Sequence, residues 1–432
     1  MDNKKISLFS CTLMGIGSII GASIFATTPI AIKIVGGNGI VLGFIFASIF
    51  VFLKTLPEMV LTSALPANGA SYMHLTRLVN PYVGILHAFN QLIIGPMKVA
   101  TMALTFSTYF KMLFPASSEI LVAVIVTLIF TIISLYGIQF SAKVQNIMVG
   151  VLLAAIGTYI VVGWGNTVIS LQEVITSTFE LSKMWAAFVI GTLLTAVLYA
   201  AMAYVTIGVM PNFYEIDNLA TVAEKFMSPA LWVFFIAGGA LLAVVTSINS
   251  AILMFSRSHF AAARDGLFPE SIMKVNKNGA PSNSIWQNSI IAILAMISGF
   301  NLNDVINITS IPGLLLSPII FASVFVLPKR FPNSYKTSFL KIPHWINCLI
   351  VVVASALSIL LGSNVLKQMH PKNYIAMIIF YILAAIYTTF RIQYLKNKKG
   401  IDMIANMKTP YEPWIRQEQQ AAERISSESL NS

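Results

Sequence analysis

The first apolar run of the chain contains GIGSIIGASIF, Gly15 to Phe25, which places three glycines and two serines inside a segment otherwise apolar enough to cross a bilayer. Glycine in a helix interior costs about 1 kcal/mol relative to alanine, and hydrocarbon offers no water to a freed amide or carbonyl. A break of this kind persists only where it faces protein or a cavity. The amide N–H groups at one half-helix end favour an anion such as a carboxylate, and the carbonyls at the other favour a cation. Together the two ends suit a zwitterion.

The rest of the chain fits a bilayer. Hydrophobic residues make up 57% and charged residues only 10%, against about 25% charged in soluble domains, so the chain reads as a polytopic membrane protein. The net charge of +11 does not point to nucleic acid, because the basic residues sit in short segments between apolar runs, as cytoplasmic loops do. Cys11 and Cys348 lie in or beside apolar runs and support neither a disulfide framework nor a metal site. Lys4 and Lys5 precede an apolar run too long for a signal-peptide core, with no small-residue cleavage site after it.

Apolar runs long enough to span fall near 8–34, 40–62, 83–112, 119–137, 143–163, 185–210, 230–256, 284–300, 305–327, 344–363 and 373–391, about eleven in all. The tail from Lys396 is charged and rich in Gln, Glu and Ser, and is expected to be solvated and partly disordered.

Several motifs converge on one family. The opening motif, the loop LPANGASYMHLTRLVNPYVG (Leu65 to Gly84), the segment SINSAILMFSRSHFAAARDGLFPE (Ser247 to Glu270) and the loop LPKRFPNSYKTSFLKIP (Leu327 to Pro343) resemble, in order and spacing, the amino acid-polyamine-organocation permeases. The resemblance implies an all-α, LeuT-like fold of two inverted five-helix repeats with a midplane substrate site at the broken first helix, followed by two trailing helices. Mapped onto this chain, the permease domain is residues 1–395, with repeats 1–163 and 185–327 and trailing helices 344–395, and the cytoplasmic tail is 396–432. The resemblance further implies that a substrate carboxylate meets N–H groups around Gly21, Ala22, Ser23 and Ile24, and its ammonium meets carbonyls near Gly17, Ser18 and Ile19. Ser23 stands where the family usually has glycine. Read from the residues alone, the same glycines also serve close helix packing.

Two further departures matter. The family has twelve helices, and both the Lys143 and Arg257 loops should be cytoplasmic, which needs an even number of crossings between them. Only three runs lie there. The linker Trp164 to Met184 carries Glu173, Glu180 and Lys183, and a span with that charge is expensive. Residues 188–211 resemble the family's seventh helix, so the sixth is read as missing; the alternative is that 185–210 is the sixth and the seventh is absent. Second, many members carry a lysine in the fifth helix in place of sodium, and Leu152 falls at that position. Sodium coupling through Thr246, Ser247 and Ser250 remains open, against the plainer reading that these hydroxyls bond to neighbouring carbonyls.

Intramembrane ionisable residues are functional candidates by default. Lys33 and His87 lie near helix ends and are expected to reach interfacial water. Lys54 and Glu58 share one helix face and read as a structural pair. Lys98 follows Pro96 deep in a helix and is a candidate for substrate recognition or proton carriage, or for pairing with an unseen partner. The expectation is a cell-membrane, multi-pass permease or exchanger for an amino acid or amine, coupled to a proton or sodium, with no cofactor, metal centre or enzymatic motif. The alternative is a non-transporting membrane protein derived from such a permease by loss of a helix.

Overall fold

The computed structural model describes residues 39–164, 184–298 and 302–430, apart from 211, 217, 339 and 341, together with positions 13, 15–17, 20, 25, 28 and 31–33 of the opening helix. Apart from an isolated bridge between Val275 and Pro281, the regular structure described is helical. The long elements are α1 (Gly39–Ala64), α2 (Pro81–Leu113), α3 (Glu119–Leu135), α4 (Ile138–Trp164), α5 (Met184–Val209), α6 (Leu242–Arg264), α7 (Ser282–Ile297), α8 (Leu302–Ala322), α9 (His344–Gln368) and α10 (Pro371–Lys399). They follow the apolar runs closely. Among the described residues, six helical segments, including Ile138–Gly163 and Pro229–Arg264, are long and apolar enough to cross a membrane, and Glu119–Leu135 and Leu194–Val209 are shorter apolar helices.

Local chemistry sets the ends. Asn80 caps α2 by accepting from the Tyr82 amide, with Pro81 in the first turn, where its missing N–H is no loss. Before α6 the chain forms the helix Pro229–Phe234 and a π turn over Phe235–Leu241, so the polypeptide crosses as one 36-residue helix, Pro229–Arg264. Gly266, at φ 94°, turns the chain sharply after α6.

One face of the molecule gathers the basic loops. Arg77 donates through both terminal nitrogens to Asp265 at 2.9 and 2.8 Å, joining the loop after α1 to the loop after α6 in a buried, bidentate pair. Asn276 and Asn278 donate to the Leu135 carbonyl at 2.7 and 3.2 Å, so the α3–α4 turn lies on that face too. On the opposite face the ends of α4 and α5 meet, where the Tyr159 and Thr206 hydroxyls are 2.9 Å apart and Tyr159 packs against Phe226. Thus α4 and α5 run in the same direction. At 1.5 Å per residue, the 26 residues of α5 place its start about 39 Å from that end, back at the basic face. Among the described residues, α4, α5 and the segment Pro229–Arg264 are the long helical segments between the two basic-face loops, an odd number, so the parity problem read in the sequence stands.

The tail differs from expectation. Instead of a solvated end, it forms α11 (Met403–Lys408) and α12 (Glu412–Leu430) and docks on the basic face. Trp414 is fully buried, stacks on His74 with ring centroids 5.4 Å apart and donates its indole N–H to the Pro66 carbonyl at 3.0 Å. Gln417 donates to the Ala64 carbonyl at 2.8 Å. The Glu418 carboxylate accepts the Asn333 and Ser334 amides at 2.8 and 2.7 Å, which is an anion at the start of the short helix Pro332–Thr337.

Candidate substrate site at the opening helix

The described carbonyls of the opening helix take hydrogen bonds from three other helices. Thr246 and Ser247 of α6 direct their hydroxyls at the Gly17 carbonyl, at 3.1 and 3.3 Å. Tyr199 of α5 donates to the Ile20 carbonyl at 2.7 Å. Tyr109 of α2 donates to the Phe25 carbonyl at 2.7 Å. These three sites of donation fall within nine positions of the chain, from Gly17 to Phe25. Gly17 is also tightly packed: a Cβ there would lie 2.7 Å from Val149 Cγ2 and 2.8 Å from Gln145 Nε2. The close-packing reading of this glycine therefore holds alongside any binding role, whereas among the described residues nothing lies within 4 Å of a Cβ at Gly15.

Beneath Gly17 runs a buried polar chain between α4 and α6. Gln145 donates to the Thr246 carbonyl at 3.1 Å and to the Ser250 hydroxyl at 3.2 Å. Asn249 donates to Gln145 Oε1 at 2.8 Å, and Ser141 donates to Asn249 Oδ1 at 2.7 Å. Ser250 thus belongs to this chain and not to the set facing Gly17. Above Gly17, Phe25 packs between Tyr109 at 6.0 Å and Phe235 at 5.6 Å, with Gly239 of the π turn 3.4 Å from its ring by the same Cβ test. π turns within α-helices are frequent at functional sites.

Of the residues singled out in the sequence, Gly17, Thr246 and Ser247 come together. Ser18, Ile19, Gly21, Ala22, Ser23 and Ile24 lie outside the described residues. Leu152 is fully buried in the apolar cluster around the opening helix, so no cation reaches the site from that position. Lys98 stands apart. Eleven residues separate it from Tyr109, three turns on the same face of α2 and about 16 Å nearer the basic face. Its electrostatic neighbour is the like charge of Lys54, and Lys54 in turn acts on Glu58, as expected of an i, i+4 pair. His87 is buried, contrary to expectation, and its ring nitrogen lies 3.0 Å from the Gln91 amide nitrogen. Gln145, Asn249, Tyr109 and Tyr199 were not singled out by the sequence reading. The signal available for the first two was amide side chains inside otherwise apolar runs, which are expensive in lipid without partners.

Several helices long and apolar enough to cross a membrane, packed around a common opening helix, define a multi-pass membrane protein. The family profile for amino acid permeases matches residues 6–186 and 182–387, and the chain belongs to that family. Its relatives include the methylthioribose transporter of Bacillus subtilis, 25% identical over 78% of this chain and 83% of the relative. Another is the branched-chain amino acid permease BcaP of the same organism, 22% identical over 83% and 86%. The large neutral amino acids transporter small subunit 2 of Mus musculus is 24% identical over 76% and 71%. The fold matches Mhp1, a nucleobase-cation-symport-1 family transporter solved in a closed conformation with bromovinylhydantoin bound, at TM-score 0.56 and 15% identity over 96% of each chain. That likeness is one of fold. The family and these relatives are transporters, not enzymes.

Proposed function

We propose that the protein carries an amino acid or a related small organic solute across the cell membrane, binding it along the opening helix between Gly17 and Phe25. The observation that carries this reading is the set of hydroxyls on the Gly17, Ile20 and Phe25 carbonyls. Backbone there engages partners outside its own helix, so a solute carboxylate would be held by amides around Gly21, Ala22, Ser23 and Ile24, and an ammonium by carbonyls around Gly17, Ser18 and Ile19. The relatives are named for methylthioribose and for branched-chain or large neutral amino acids, all small organic solutes. The Gly17 carbonyl with the Thr246 and Ser247 hydroxyls forms a set of hard oxygen donors suited to a sodium ion. Lys98 lies on the tyrosine-bearing face of α2, where it would meet an acidic group on the solute. The basic face is the cytoplasmic one, by its excess of Arg and Lys.

A second reading has its own observation. Only three long described helical segments lie between two loops on one face, and the family match itself divides at residues 182–186, which supports a chain lacking the family's sixth helix and unable to transport. Reconstituted protein in liposomes, tested with radiolabelled leucine, alanine and methylthioribose with and without sodium and proton gradients, separates the two. Saturable uptake that Gly17→Ala abolishes supports the transporter. Binding without uptake supports the second reading, and neither binding nor uptake of any of the three overturns the proposed site.

A further inference from the structure

The docked tail does not seal against the basic face. A crevice of about 550 Å³ remains between them, walled by Arg77, Arg330 and Phe331 on the membrane domain and by Lys408, Trp414 and Glu418 on the tail. The charges around it do not cancel. Arg77 is matched by Asp265 in the bidentate pair. Glu418 is matched by the two backbone amides of Asn333 and Ser334. Arg330 gives one N–H to the Arg77 carbonyl at 2.6 Å and, like Lys408, has no carboxylate partner among the described residues. Two uncompensated cations thus face one crevice, one from each wall, beside the exposed apolar side chain of Ile415.

We propose that this crevice binds a phosphate-bearing anion and that the anion fastens the tail to the membrane domain. A guanidinium fork matches phosphate oxygens in pairs, while an ammonium serves as a point charge, so Arg330 and Lys408 grip one phosphate from two sides. Ile415 offers contact to the apolar group attached to it. Arg330 ends the apolar span Thr309–Arg330, a position open both to an acidic phospholipid headgroup and to a soluble phosphate ester. The site is separate from the opening helix, and nothing in the proposed transport activity requires it.

The test follows hydrogen–deuterium exchange of the α12 amides in the full-length protein. Nanodiscs of phosphatidylcholine alone, the same with phosphatidylglycerol, and phosphatidylcholine nanodiscs with added ATP serve as the three conditions. A ligand at about ten times its dissociation constant raises protection about tenfold. A rise with phosphatidylglycerol alone assigns the headgroup, and a rise with ATP in phosphatidylcholine assigns the soluble ester. Lys408→Gln, an exposed position, and the double variant Arg330→Gln/Lys408→Gln are expected to lose the rise, while Lys367→Gln on the opposite face keeps it. Protection that responds to neither probe, or responds equally in Lys408→Gln, overturns the proposal.

Discussion

Replacing Trp414 by alanine should release the tail while leaving the membrane domain folded. The indole is fully buried, stacks on His74, meets Phe331 and Tyr411 edge-on at 6.1 and 5.6 Å and donates to the Pro66 carbonyl. A tryptophan buries about 150–250 Å², which at about 25 cal/mol per Å² corresponds to about 4–6 kcal/mol as an upper bound. Measured truncations of buried aromatics fall at about 3–5 kcal/mol. Since about 1.4 kcal/mol is a factor of ten, the α12 amides should exchange roughly a hundredfold to three-thousandfold faster in Trp414→Ala. The α6 amides, deep in the domain, should keep their protection. Trp345→Ala is the control, because Trp345 is 69% exposed and its truncation leaves α12 unchanged. If protection of α12 in Trp414→Ala falls less than about fivefold, Trp414 is not the anchor and the tail is held by other contacts.

Gly17→Ala should destabilise by about 1–3 kcal/mol through overpacking against Val149 and Gln145, read as a lower thermal midpoint; an unchanged midpoint would show that the opening helix is loosely held. The pair Thr246→Val and Ser247→Ala removes both hydroxyls from the Gly17 carbonyl, at about 0.5–1.5 kcal/mol each, and should abolish any sodium stimulation of solute binding. Sodium dependence that survives both changes excludes these hydroxyls as ligands. Asp265→Asn leaves Arg77 buried without its counter-charge and should cost about 3–5 kcal/mol, with the two basic-face loops exchanging first by hydrogen–deuterium exchange; global loss with those loops still protected contradicts that role. Burial holds the His74 ring at about 4, below its ordinary 6.5, with the Leu65 carbonyl opposing in part. The folded state therefore favours the neutral ring, so its contribution is complete above about pH 6.5 and is lost as pH falls toward 4, at about 1.4 kcal/mol per unit. The drop in thermal midpoint between pH 7.5 and 5.5 should shrink in His74→Gln, and an equal drop would place the acid sensitivity elsewhere.

The spans were legible because length and hydropathy suffice in a bilayer, and α1, α4, α9 and α10 fall where the apolar runs do. The membrane segment ending at α6 runs eight residues beyond its expected end, to Arg264, because its polar residues, such as Ser256, Ser258 and His259, are buried against protein and do not mark the lipid boundary. The tail was misread from its overall composition. Yet Met403, Met407, Tyr411 and Trp414 recur at spacings of four, four and three, the apolar stripe of a docked helix pair, and Met403, Met407 and Trp414 are fully buried. Gly17 was legible as a glycine inside an apolar run. The tyrosines that donate to the Ile20 and Phe25 carbonyls, Tyr199 and Tyr109, were not, because a hydrogen bond from one helix to the backbone of another leaves no local pattern in either sequence.

The central claim is that this chain keeps a permease architecture in which the loops around Lys143 and Lys277 share one face, although only three long helical segments are described between them. Reporters of sidedness fused after Lys143, Met184, Lys225, Lys277 and Ser432 in the membrane-inserted protein test it directly. The account predicts Lys143, Met184, Lys277 and the C-terminus in the cytoplasm and Lys225 outside. Lys143 and Lys277 on opposite sides would contradict it.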